Sequence, residues 1–227
     1  MWNNFIKNNT NIEIFNISKI NNISNYIKSA RTSYNSIDEL KKLKFRYIED
    51  LKYIINSDKE TLIHLEQFNN NDIIVKAKNA IDHYYFHTLD NPSHRSKMFW
   101  YNFIEHFRVF RTYTKLPYTS SDMASSHNID HLKCVNDLIN SLKPLTNYIN
   151  QFIKDNYEDL YKKLNKLSLG PFVPKSFRIF PMMTINYNII SNYHLDFNDN
   201  DNCFCVLVIL EDYESSELCF LQFNLII

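Results

Sequence analysis

His194-Leu195-Asp196 sets an imidazole and a carboxylate two residues apart in a stretch flanked by β-prone residues. In an extended segment, positions i and i+2 project to the same face. One ring nitrogen and one carboxylate oxygen can then meet the same ion. They would supply two of the three ligands of a 2-His-1-carboxylate iron site. The third ligand, a second histidine further along, is not found, because residues 197–227 contain no His, and no Lys or Arg either. The pair follows an expected strand at Phe177–Asn188 and precedes the apolar run Phe204-Cys205-Val206-Leu207-Val208-Ile209-Leu210. That order suits a metal site at the mouth of a β-barrel. A surface histidine and an aspartate in a polar turn would account for the same residues.

Two further histidine pairs have helical spacing. His127-Asn128-Ile129-Asp130-His131 puts two imidazoles at i and i+4, where they can share a zinc ion. The inverted zinc-protease pattern needs Glu where Asp130 stands. Asp130 as the N-cap of the helix behind it, with the histidines exposed, is the expectation, because helix-start chemistry explains the same residues. His83 and His87 are also four apart, with Asp82, Asp90 and His94 nearby, and Tyr84, Tyr85 and Phe86 crowd the same segment. Histidines packed in an aromatic helix are the expectation there. Cys134 follows His131 by three residues, on the same helical face, and reads as a buried thiol.

The elements that must position these groups change character along the chain. Residues 1–35 form a poorly defined arm, with short strands expected around Ile12–Ile17. Ser36-Ile37-Asp38-Glu39 has the form of a capping box. Leu40, Leu43, Tyr47, Leu51 and Ile54 then recur at helical spacing, which predicts a helix to about Ile55. Thr61–Gln67 is a short apolar piece, and Ile73–Phe86 is expected to be helical. Lys97–Thr112 carries Phe99, Trp100, Phe103, Phe107 and Phe110 and is expected to be a buried helix. A helical tract from Ile129 to Leu142 resumes after Pro144 to about Lys154 and ends with Glu158–Leu167. Gly170, Pro171 and Pro174 mark a boundary. Beyond it, Phe177–Asn188 and Phe204–Leu210 are β-branched or aromatic and too short for helices, and Glu217–Ile227 reads as a strand pair or one long strand. Helices first and strands last is the pattern of an α+β protein, with a helical region at 36–167 and a β region at 171–227.

Composition narrows the function classes. The 227 residues suffice for one large domain, and 44% are hydrophobic, enough to bury a core. Lys plus Arg and Asp plus Glu are both 25, so nothing drives non-specific nucleic-acid binding by counterion release. The single glycine, Gly170, excludes phosphate loops and dinucleotide fingerprints. It also leaves Asn and Asp to occupy turns that need φ > 0. Four cysteines, with Cys203 and Cys205 two apart, do not form a secreted disulfide framework, so a reducing cytoplasmic or nuclear setting is expected. No apolar stretch is long enough for a membrane span, and the N-terminal residues lack a signal-peptide core.

Read together, Thr184-Ile185-Asn186-Tyr187-Asn188, His194-Leu195-Asp196, Cys205–Leu210 and Ser215-Ser216-Glu217-Leu218-Cys219-Phe220 resemble the front half of a 2-oxoglutarate/Fe(II)-dependent oxygenase domain of the fungal and protist type. The resemblance covers about Phe177–Ile227. It implies that the β region is an incomplete double-stranded β-helix, or jelly-roll, buttressed by the helical N-terminal two-thirds. It implies Fe(II) and 2-oxoglutarate as cofactors, His194 and Asp196 as metal ligands, and Asn186 as a residue facing the cosubstrate. Three departures accompany it. The hairpin glycines are Ser215 and Ser216, the distal His is missing, and so is the Arg or Lys that pairs with the 2-oxoglutarate carboxylate. The expectation is therefore a C-terminally truncated or degenerate copy that is inactive as it stands. A non-enzymatic helical interaction module built on the aromatic helices, and a zinc hydrolase using His127 and His131, are the alternatives.

Overall fold

The structure, a computed structural model, describes residues 12–14, 46–47, 53–89, 103–110, 118–120, 123, 129–167, 175–187, 203–210, 218–220, 223 and 225–226. The chain divides into two compact units. One comprises Met1–Asn69, Ile190–Asp201 and Tyr213–Ile227, the other Asn70–Ile189 and Asn202–Asp212. Helices and small sheets together make this an α+β protein.

The first unit contains two three-stranded sheets. In one, β1 (Ile12–Ile14) runs parallel to β3 (Tyr53–Ile55), which pairs antiparallel with β4 (Thr61–His64). All three residues of β3 are buried, so side chains on both faces of this strand are covered. The β3–β4 turn is closed by Asn56. Its backbone N–H donates to the Glu60 carbonyl at 2.9 Å, its side-chain oxygen accepts from the Glu60 N–H at 2.8 Å, and its amide donates to the Glu60 carboxylate at 2.6 Å. The left-handed position of that turn falls to Lys59, with φ 67°. Arg178, with φ 62°, plays the same part elsewhere. Asn and Asp were expected at such places, since they tolerate this conformation. Here Asn56 holds the turn through its side chain instead and leaves the unfavourable torsion, worth about 1–2 kcal/mol, to its neighbour.

In the other sheet of this unit, β2 (Arg46–Tyr47) lies parallel to β9 (Leu225–Ile226), and β9 pairs antiparallel with β8 (Cys219–Phe220). Leu225 and Ile226 are buried. The end of the chain is thus a strand pair, one of the two forms expected of Glu217–Ile227. The helix expected up to Ile55 is not formed where β2 and β3 stand. Tyr47 and Ile54 fit a helical stripe, but Tyr53-Ile54-Ile55 is also a β-prone run. Ladder bonds to residues outside the local window decided the outcome. The capping box at Ser36 and Glu39 lies outside the described residues.

The second unit is helices against a sheet. α1 (Asn71–Leu89) opens on Asn70, whose side-chain oxygen accepts from the Ile73 N–H at 3.3 Å. Its inner face runs through Ile73, Ala77, Ala80, Ile81, Tyr84, Tyr85 and Thr88, the apolar stripe expected of a helix here. α2 (Ile129–Ser141), α3 (Lys143–Asn156) and α4 (Glu158–Asn165) follow the expected tract closely. Helical bonding continues across the first joint, with Leu142 N–H to Leu138 O at 2.9 Å and Thr146 N–H to Leu142 O at 3.0 Å, because Pro144 sits in the first turn of α3, where its missing N–H costs least. Asp130 is in the first turn of α2 and is exposed, where its charge favours the helix N-terminus.

The sheet of this unit has the order β6–β5–β7, all antiparallel: β5 (Phe103–Phe110), β6 (Tyr118–Thr119) and β7 (Met182–Tyr187). Glu105, Phe107, Val109 and Ile185 point into the core, where they meet Tyr84 and Tyr85 of α1, Val135 and Leu138 of α2, Leu145 of α3 and Leu142 at the joint between them. The helix expected over Lys97–Thr112 is corrected at β5. Aromatic density there concealed a two-residue alternation of buried Glu105, Phe107 and Val109, and the strand β7 that pairs with Glu105 and Phe107 lies far along the chain. The expected strand at Phe177–Asn188 begins only at Met182. Before it, Phe177–Phe180 is a turn whose Phe177 and Ile179 are buried.

Phe204–Leu210, also expected as a strand, has no ladder partner among the described residues. Val208 and Leu210 pack on the core while Leu207 and Ile209 are exposed, so the alternation is kept without the pairing. Among the described residues no helix is long and apolar enough to cross a membrane. Their arrangement contains no closed barrel.

Candidate functional site

His194 and Asp196 lie outside the described residues. The strand that leads to them is described. β7 turns Met183, Ile185 and Tyr187 toward the core and Met182, Thr184 and Asn186 outward. Asn186 is exposed and stands opposite Ile104 of β5. Its orientation is held from behind, because Tyr187 stacks on Tyr85 of α1 with ring centroids 4.4 Å apart and donates its hydroxyl to the Asp82 carboxylate at 3.1 Å. Two residue pairs along the ladder, His106 of β5 meets Thr184 of β7, with Nδ1 to Oγ1 at 3.1 Å. The outward face of the β5–β7 pair therefore carries His106, Thr184 and Asn186. A helical reading of the segment hides His106. Its position between the inward-facing Glu105 and Phe107 was the signal for it.

The buried side of β5 holds a carboxylate that the sequence reading also missed. Glu105 is 1% exposed and accepts a hydrogen bond from the hydroxyl of Tyr84, itself 1% exposed. The Tyr84 ring meets Phe107 edge-on at 5.7 Å and His131 at 6.3 Å. His131 is thus a buried core histidine at the start of α2, where exposure had been expected. Its partner in the zinc reading, His127, lies outside the described residues. Cys134, one turn further, is half-buried. Burial pushes its thiol above the usual range, and the charges of Asp137 and Asp130 push the same way. At neutral pH it is a protonated, poor nucleophile. Iodoacetamide labelling read by mass spectrometry should modify exposed Cys205 well before Cys134, and equal rates would refute this ordering.

His83 and His87 are exposed on α1 and do not pack in its aromatic core, contrary to the sequence expectation. Their rings lie 3.8 Å apart, tilted by 38°. Asp90 and His94 are outside the described residues. Phe107, one of the aromatics an interaction surface would draw on, is fully buried. Among the described residues no group of three or more His, Cys, Asp or Glu converges to hold a metal ion. No protein-family model, no curated protein and no solved structure matches this chain.

Proposed function

We propose that this chain is an oxygenase-like protein of the 2-oxoglutarate/Fe(II) type. In this reading, residues 171–227 contribute part of a double-stranded β-helix, His194 and Asp196 act as metal ligands, and Asn186 faces the cosubstrate. The observation that carries it is Asn186 itself. It is exposed on the outward, polar face of β7 beside Thr184 and His106, eight positions before His194. A strand carrying a polar residue, followed by H-x-D, is the order that the resemblance implies.

The donor set suits iron in kind, since imidazole nitrogen and carboxylate oxygen are two of the three ligands of such a centre. It is one protein ligand short, and residues 197–227 contain no Lys or Arg to pair with the cosubstrate carboxylate. These 227 residues by themselves are therefore proposed to bind iron weakly and not to turn over, and no reaction step is assigned to them. Anaerobic Fe(II) titration should show weak binding that His194→Ala and Asp196→Ala each abolish, with no succinate formed from 2-oxoglutarate. Iron binding that survives both substitutions rejects the reading, and succinate formation rejects the inactivity.

A further inference from the structure

We propose that His83 and His87 form a surface site for a divalent transition-metal ion, of the class Cu²⁺, Ni²⁺ or Zn²⁺, on the outer face of α1. The site is independent of His194 and Asp196. Residues four apart on a helix stand one above the other, and the later side chain leans back over the earlier one. The two rings accordingly meet, with centroids 3.8 Å apart, and both are exposed. The tilt of 38° leaves them side by side without full stacking, so small ring rotations bring a nitrogen of each to one ion. A metal–imidazole bond is about 2.0–2.1 Å long.

The tautomer of His87 is the second observation. Its Nδ1 lies 2.9 Å from the backbone carbonyl oxygen of His83. A carbonyl oxygen only accepts, so Nδ1 carries the proton and the lone pair is left on Nε2. A backbone carbonyl holding the opposite ring nitrogen is the arrangement that orients metal-ligating histidines. The helix beneath is fixed by Ala77, Tyr84 and Tyr85 packed in the core, so the folded chain holds the two imidazoles side by side and the unfolded chain does not. Asp82 is not available as a third ligand through Oδ1, which accepts from Tyr187. Water would complete the coordination, which makes this an open site selective by affinity order more than by shape.

The test uses the full chain, with CuCl₂, NiCl₂ and MnCl₂ titrated by calorimetry and by thermal unfolding, alongside His83→Ala, His87→Ala and His194→Ala. The expected result is one tighter equivalent bound in the order Cu²⁺ > Ni²⁺ > Mn²⁺, separate from any weak binding at His194 and Asp196, with a rise in Tm, because the ion binds the folded state preferentially. Each of His83→Ala and His87→Ala should lower Cu²⁺ affinity by at least about tenfold, a loss that even outer-shell partners can reach. His194→Ala should leave it unchanged. Paramagnetic resonance of the copper complex should show two nitrogen ligands in the wild type and one in either variant. Affinity and nitrogen count that are the same in the wild type and both helix variants would overturn the proposal. So would binding that is lost in His194→Ala alone, which would instead locate the ion at the proposed iron ligands.

Discussion

Phe107→Ala should lower the stability of the helix-and-sheet unit by about 3–5 kcal/mol, the cost of emptying a fully buried aromatic position. Phe107 is 0% exposed at the centre of β5, and its ring meets Tyr84 edge-on. It belongs to one contiguous cluster with Val135 and Leu138 of α2, so its loss leaves a cavity bounded by two elements and not a surface dent. Phe86→Ala is the matched control. Phe86 sits on the same unit but is 61% exposed, and its truncation should stay within about 0.5 kcal/mol. Urea unfolding followed by circular dichroism measures both. Similar midpoints for the two variants would mean that the packing of β5 against α1 is wrong.

The second large effect is expected at the Tyr84–Glu105 pair. Tyr84→Phe removes one hydroxyl and no volume to speak of, yet it should cost about 1–3 kcal/mol. A carboxylate 1% exposed then loses a donor inside the core, where water does not replace it. Glu105→Met, which removes the acceptor at similar volume, tests the coupling. If the hydrogen bond is made as described, the double variant should fall short of the sum of the two single losses by about 0.5–3 kcal/mol. Strict additivity would show that the two side chains do not interact. The pair joins α1 to β5 across the core. It is thus the polar counterpart of the Phe107 contact, and both losses should appear in the same unfolding transition.

These two contacts mark where local reading stops. α1 and the tract from α2 to α4 were legible because their information is local: apolar spacing at Ile73, Ala77 and Tyr84, and Pro144 placed where a helix can begin. β5 was not legible in the same way. Its residues are aromatic enough to suit a buried helix, and the alternation that betrays a strand is short. Its pairing partner, β7, is contributed from the far side of three helices. The same holds for β2, whose partner β9 lies outside any local window, and in part for β3, which pairs with distant β1 as well as with the adjacent β4.

For the candidate sites the division follows a similar line. Residue type and spacing were enough to single out His194 with Asp196, His83 with His87, and His127 with His131, because chelation depends on which donors are a fixed number of residues apart. Exposure was beyond their reach. His131 and His83 have the same helical spacing to a partner histidine, yet one is buried against Tyr84 and the other faces solvent. His106 and Glu105 are adjacent, and the pleat sends one to the polar face with Thr184 and Asn186 and the other into the core with Tyr84. The chain alone determined the helical periods and the inventory of donors, both of which are set by neighbours in sequence. Tertiary structure alone decided which aromatic run became a strand and which histidines met water, because burial and ladder pairing are set by partners that proximity along the chain does not specify.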